Sequence, residues 1–293
     1  MGGVFQLSSV DYLLALPITL LALFALGVLL FDLIVPPEHK WMNAVTAFVG
    51  VLFSLKAVYS IQQWIGNGGN PYGLMHTMLV DRFAIYFFYL FLAATAISIL
   101  MSAAYLEIEH ENHGEYYALM LLSVAGMMCM AAASDIVLIF IGLELMAIST
   151  YVLVGFLRRD RRSNEGALKY FLLGAFSSGI FAYGLSLLYG LTGSTNLGMI
   201  GNAMTGLVRY SNYRPILVIA VLTTLTGLLF KIAAVPFHQW APDAYEGAPT
   251  SVTGFMSVAV KAAGWAMLMR ILLWGLLPLR SIRSEERRVG KEC

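Results

Sequence analysis

Eight long apolar runs dominate this sequence and restrict it to one kind of solvent. They lie near residues 12–34, 41–64, 83–106, 115–133, 136–157, 167–191, 215–245 and 250–275. A helix needs about 20 apolar residues to cross a hydrocarbon layer of about 30 Å, so each run is long enough to span a bilayer. The runs are too long for barrel strands and too continuously apolar to alternate, which predicts helices. The expected fold is therefore an all-α polytopic membrane protein with about eight transmembrane helices. Pro236 and Pro242 interrupt the seventh run, and Thr195 to Leu207 (TNLGMIGNAMTGL), weakly apolar and broken by glycine, reads as a connecting or interfacial segment. The remaining connections are short and leave no room for a soluble catalytic domain.

Composition closes off other classes. The chain is 59% hydrophobic and 12% charged, whereas soluble domains carry about 25% charge. A water-soluble enzyme and a disordered tail are both excluded. With 18 Lys+Arg against 17 Asp+Glu there is no field to attract nucleic acid. Cys129 and Cys293 are too few for a disulfide framework or an iron–sulfur cluster, so no cofactor or metal is expected in this chain. His110 and His113 stand among Glu107, Glu109, Glu111 and Glu115, but a solvated loop explains them better than a metal site. Gly66-Asn67-Gly68-Gly69-Asn70 reads as a turn. Met127, Met128, Met130 and the many aromatics read as lipid-facing or packing residues.

The termini and loops set orientation. MGGVFQLSSVDY has no basic leader, so the first span is expected to stay in the mature protein. The cluster Arg158-Arg159-Asp160-Arg161-Arg162, with His39 and Lys40 on the same side, should face the cytoplasm and put the N-terminus outside. Arg209 and Arg214 and the acidic loop Glu107–Glu115 pull the other way. Residues 283–293 (RSEERRVGKEC) hold seven of the chain's charged residues and resemble the translation of a sequencing-library adapter. A native tail is thus not expected there, and the chain is expected to be the front part of a longer protein.

Ionisable groups inside the spans carry the functional signal. A lysine at the centre of a spanning helix costs about 2.5–3.5 kcal/mol on insertion scales. Lys231, about equally far from both ends of the seventh run, and Lys261, near the middle of the eighth, lie too deep to snorkel. Glu144, in GLELMAISTYVLVGF, is the acidic counterpart near the middle of a span. The alternative for each is a structural pair or hydrogen bond. Lys169, at the start of the sixth run, can be read as a cytoplasmic anchor. Lys56, Arg270, Asp32, Asp81, Arg82 and Asp135 read as interfacial or loosely paired. Pro236 has no N–H and its ring clashes with the carbonyl four residues back, that of Ile232, which predicts a helix break one residue from Lys231. Broken helices at membrane depth are how transporters build ion sites. His238 would fall on a similar face to Lys231 if the helix resumes, as a proton carrier.

Three segments carry a family resemblance. FKIAAVPFHQWAPDAYEGAPT (230–250), GLELMAISTYVLVGF (142–156) and EGALKYFLLGAFSSGIFAYG (165–184) resemble the antiporter-like subunits of respiratory complex I and of multisubunit cation/proton antiporters. The tyrosine and the EGAPT ending are most similar to the subunit N branch, equivalent to mitochondrial subunit 2. Leu16–Pro17 and Asp32 fit as well. The resemblance implies a fourteen-helix protein with two inverted five-helix repeats, of which this chain holds a three-helix region (1–114) and the first repeat (115–280). It also implies a relay of Glu144, Lys231, Lys261 and Lys169, with His238 after the break; the second repeat's lysine has no counterpart here.

The implied function is a membrane-arm subunit of a proton-translocating NADH-quinone oxidoreductase in the bacterial inner membrane. FMN, iron–sulfur clusters and quinone belong to partner subunits, and the partners are other membrane subunits of complex I and the lipid bilayer. Nucleic acid and soluble small molecules other than protons are not expected partners. In this reading Lys231 binds and releases a proton as its neighbours' charge changes. A carboxylate about 6 Å away, at an effective dielectric near 20, would favour the ammonium by roughly 2.8 kcal/mol. Moving one proton against about 200 mV needs about 4.6 kcal/mol, so two coupled pairs suffice. The alternatives are a subunit of a cation/proton antiporter or related membrane hydrogenase, and a structural scaffold whose lysines only hold helices together.

Overall fold

A computed structural model describes residues 8–109, 111–207 and 211–276; His110, Arg209 and the 283–293 tail lie outside them. Ten helices follow in order: α1 Ser9–Asp32, α2 Trp41–Gly66, α3 Arg82–Ile108, α4 Gly114–Ala132, α5 Ile136–Val154, α6 Arg161–Thr192, α7 Leu197–Leu207, α8 Arg214–Lys231, α9 Trp240–Gly247 and α10 Thr250–Gly275. All except α7 and α9 are long and apolar enough to cross a membrane, which gives eight candidate spans among the described residues. Between α2 and α3 a two-stranded antiparallel hairpin pairs β1 (Tyr72–Gly73) with β2 (Met78–Leu79).

The helix starts follow from short acids and hydroxyls, which supply the first turn's amides with acceptors. Ser8 and Asp11 form a reciprocal capping box on α1. Asp81 accepts from the Ala84 amide at 2.9 Å to start α3, and Asp135 from the Val137 amide at 2.8 Å to start α5. Asp160 accepts from the Arg162 amide at 3.0 Å. That cap starts α6 at Arg161 rather than near 167, so the basic run is partly its first turn. Gly193, at φ 69°, closes α6 in the left-handed conformation that glycine adopts without strain.

The segment expected to be connecting or interfacial forms a short helix. Asn196 Oδ1 accepts from the Gly198 and Met199 amides at 3.0 and 3.3 Å, and α7 then buries Leu197, Ile200, Gly201 and Met204. That spacing is one helical face.

Helix α4 forms the centre, packed by α1, α3, α5 and α10. Tyr116, Tyr117, Met127, Met128 and Met130 are all at 0% exposure, so these methionines pack the core and do not face lipid. Packing also runs across the 114/115 boundary. A Cβ on Gly114 would come within 2.6 Å of the Asp32 side chain, and Tyr116 Oη bonds Ser102 of α3 and Ser251 of α10 at 2.9 and 2.8 Å.

The α4–α5 crossing is backbone on backbone. A Cβ at Gly126 would lie 2.5 Å from the Gly142 carbonyl, and one at Gly142 would lie 2.8 Å from that of Gly126. Small residues allow such approach, and dispersion is what holds helices together in lipid. Gly142→Val is expected to cut the yield of folded protein in membranes severalfold. Gly27→Ala, where a Cβ meets nothing within 4 Å, should leave it unchanged; quantitative immunoblotting of detergent-resistant protein checks both.

Candidate functional site

Helix α8 does not kink and resume at Pro236; it stops at Lys231. The Ala233 amide turns back to the Phe230 carbonyl at 3.0 Å and the Ala234 amide to that of Leu229 at 2.9 Å, with Ala233 at φ 55°. The Trp240 indole N–H, from the first turn of α9, donates to the same Phe230 carbonyl at 3.0 Å. The chain between 231 and 240 is therefore non-helical, and part of its freed backbone bonds back to the end of α8 and to Trp240. Because no helix continues, the seven-residue spacing of His238 does not place it on the Lys231 face. His238 is exposed in the unwound stretch.

Lys231 is 1% exposed. Its Nζ donates to Tyr151 Oη at 3.1 Å and lies 5.1, 5.8 and 5.7 Å from the ring centroids of Tyr151, Tyr170 and Phe230. Rings at these distances attract an ammonium through their quadrupoles. The box is itself packed: Tyr151 meets Tyr170 edge-on at 4.6 Å, and Tyr170 stacks on Trp240 at 4.3 Å. Gly174 makes room for the phenol, since a Cβ there would sit 2.0 Å from Tyr151 Oη.

Glu144 stands seven residues before Tyr151 on α5, two turns away on the same face. It does not contact Lys231. No carboxylate among the described residues forms an ion pair with that amine within 4.0 Å. Glu144 Oε1 is buried and has no hydrogen-bond partner. The acid and the phenol thus share one face of α5, and the amine at the end of α8 bonds the phenol. A phenol suits such an amine: its oxygen accepts from an ammonium, and its O–H can donate to a neutral amine.

The short helix α9 reaches the other two lysines. Lys169 Nζ bridges Glu165 at 2.8 Å and Asp243 of α9 at 3.1 Å, with its side chain 43% exposed. Lys261, half-buried in α10 next to the π-helical turn Met256–Val260, lies 5.4 Å from the Tyr245 ring of α9. A Cβ on Gly264 would sit 2.8 Å from Ile232, so α10 packs on the break itself. Trp240, Asp243 and Tyr245 thereby link the surroundings of Lys231, Lys169 and Lys261, and His238 stays apart.

Sequence reasoning passed over Tyr151, Tyr170, Trp240, Asp243 and Tyr245. The seven-residue step from Glu144 to Tyr151 was the available signal. It also gave Arg270 too small a role. That side chain is 3% exposed and holds Asp81 through two nitrogens at 2.9 and 2.5 Å and the Ala131 carbonyl at 2.9 Å, locking α10 to the start of α3 and the end of α4. Two of the acids read as interfacial or loosely paired are also held: Asp32 pairs with Lys40 at 2.7 Å, and Asp135 accepts from Thr195 at 2.5 Å. His113 pairs with Glu111 at 3.3 Å.

A helix broken beside a buried amine, in a bundle of lipid-length helices, is the kind of arrangement from which membrane transporters build ion sites. Residues 133–279 match the family described as NADH:quinone oxidoreductase/Mrp antiporter, TM, and the chain belongs to that family. It is 60% identical over 279 residues to NADH-quinone oxidoreductase subunit N 1 of Koribacter versatilis, covering 94% of this chain and 55% of that protein. Among solved structures, a chain of respiratory complex I from Thermus thermophilus superposes with TM-score 0.69 at 31% identity, over 87% of this chain and 52% of that one. A chain of the Mrp complex from a Dietzia species shares the fold, with TM-score 0.71 at 21% identity, over 92% of this chain and 49% of that one. The chain spans about half the length of the curated relatives it matches.

Proposed function

We propose that this protein is a subunit-N-type component of the membrane arm of an NADH-quinone oxidoreductase, and that it carries protons through Lys231. The observation that supports this reading most is the fully enclosed Lys231 amine at the end of a broken helix, held by a phenol that shares a helix face with an unpartnered acid. Such an amine has no structural ion pair to justify its insertion cost, so function is the default reading. Glu144 acts on the proton affinity of Lys231 through space, and Tyr151 stays bonded to the amine in either protonation state. Lys261 and Lys169, both touching α9, receive or supply the proton on either side. The chain itself performs no redox step; FMN, iron–sulfur clusters and quinone belong to partner subunits.

Four connected features support an orientation with α9 toward the cytoplasm of a bacterial cell. Lys40, Arg158, Arg162 and Lys169 cluster at one end of the bundle, pairing with Asp32, Glu115, Glu246 and Asp243 respectively. Positive charge is retained on the cytoplasmic side, and this supports an N-terminus outside the inner membrane.

The test uses the assembled complex in inverted membrane vesicles. NADH oxidation is expected to acidify the interior equally with and without sodium. Sodium-dependent proton exchange without NADH would instead place the chain in a cation/proton antiporter, the reading that the shared Mrp fold keeps in view.

Two further outcomes follow. Tyr151→Phe keeps the ring and removes the hydroxyl, so the protons moved per electron should fall severalfold. Glu144→Gln should lower the same ratio, because the amide cannot follow a charge change; a ratio equal to wild type in both variants would contradict the coupling.

A further inference from the structure

One more lysine at bilayer depth points the other way. Lys56 lies in α2, Trp41–Gly66, about 22 Å from its first residue and about 15 Å from its last at 1.5 Å per residue. Lys231 turns into the bundle, but Lys56 is exposed, on a face with Leu52, Phe53 and Tyr59, which are 47, 51 and 56% exposed. The opposite face buries Ser54, Ala57, Val58 and Ile61. The amine therefore leaves the bundle at the depth of the acyl chains. No ion pair to it forms among the described residues.

Snorkelling does not relieve this charge. Side chains on a helix lean toward its N-terminus, which for Lys56 is the more distant end. A stem of about 6 Å cannot cover that distance. Charged groups at such depth face a polar cavity or an opposite charge, and this face offers neither. A polar contact between helices is one of the forces that hold spanning helices together in lipid, and Lys56 offers one half of such a contact.

We infer that the exposed face of α2 around Lys56 docks a transmembrane helix of a neighbouring membrane subunit that carries an aspartate or glutamate at the matching depth. The positive charge fixes the chemistry of the occupant, and the depth makes it a spanning helix. This docking stands whether or not Lys231 carries protons.

The experiment places a benzoylphenylalanine photocrosslinker at Tyr59 in the otherwise unaltered complex in its native membrane, with the adduct mapped by mass spectrometry. The expected adduct lies on a helix of another membrane subunit, within about two helical turns of an Asp or Glu. Lys56→Glu should then reduce assembled complex about tenfold, and replacing the mapped carboxylate by lysine in the same strain should restore it. Adducts to lipid alone, or to residues of the same polypeptide, overturn the inference, as does failure of the exchanged pair to restore assembly. The crosslink is read in a chain that keeps Lys56, so misfolding of the charge-reversed variant does not blur the result.

Discussion

Lys231→Met is expected to leave the complex assembled and to slow the proton step about a hundredfold, the usual cost of removing a positioned proton-transfer group. Methionine has nearly the length of the lysine stem and packs well against aromatic rings. The box of Tyr151, Tyr170 and Phe230 therefore stays filled and only the titratable group is lost. Lys231→Arg is the complementary variant. Its guanidinium keeps the charge and can bond Tyr151, but it does not give up a proton at accessible pH. Both variants should lose proton translocation, although one preserves charge and the other volume. A scaffold lysine would behave differently, because arginine would then substitute for it. The protons taken up per NADH oxidised in vesicles read the difference.

Arg270→Leu is expected to have the largest effect on stability. Removing one member of a buried ion pair typically costs 3–5 kcal/mol, because the remaining charge is left uncompensated. Asp81 is 31% exposed, so water takes up part of that charge and the expected loss is about 3 kcal/mol. The Ala131 carbonyl, which accepts from Arg270 Nε at 2.9 Å, loses its donor as well. Arg270→Lys keeps the charge but cannot serve two carboxylate oxygens and a carbonyl from one fork, so it should recover only part of the loss. The melting temperature of the purified protein in detergent checks the order: wild type, then lysine, then leucine. Equal melting of all three would mean that the clasp contributes nothing.

The spans were legible because lipid solvation imposes a composition and a length that no packing detail can disguise. Their limits were less so. The Asp160 cap moved the start of α6 into a charged run that reads as a loop. The Asn196 cap and the Leu197–Ile200–Gly201–Met204 face made a helix of a segment whose glycines suggested otherwise.

In the site, Glu144, Lys231 and Pro236 stood out because charge and proline are expensive at membrane depth. Tyr151 and Trp240 did not, since aromatics occur everywhere in such a chain and only tertiary contact separates a lysine box from ordinary packing. Arg270 lies near the end of its span, where an interfacial anchor is the ordinary reading. Its partner Asp81 is 189 positions away, and no local spacing connects the two. His238 was misplaced for a different reason: the face argument assumed that the helix resumes, whereas the chain stays unwound until Trp240.

The most direct measurement is the protonation of Lys231 itself, with and without the charge on Glu144. Nitrogen NMR of lysine Nζ in the membrane-embedded complex, assigned by loss of the signal in Lys231→Arg, separates ammonium from amine. If the acid acts on the amine by Coulomb attraction, the ammonium fraction at a given alkaline pH is smaller in Glu144→Gln than in the wild type. Identical titrations in the two proteins would mean that the acid does not govern the amine, and the relay would lose its basis.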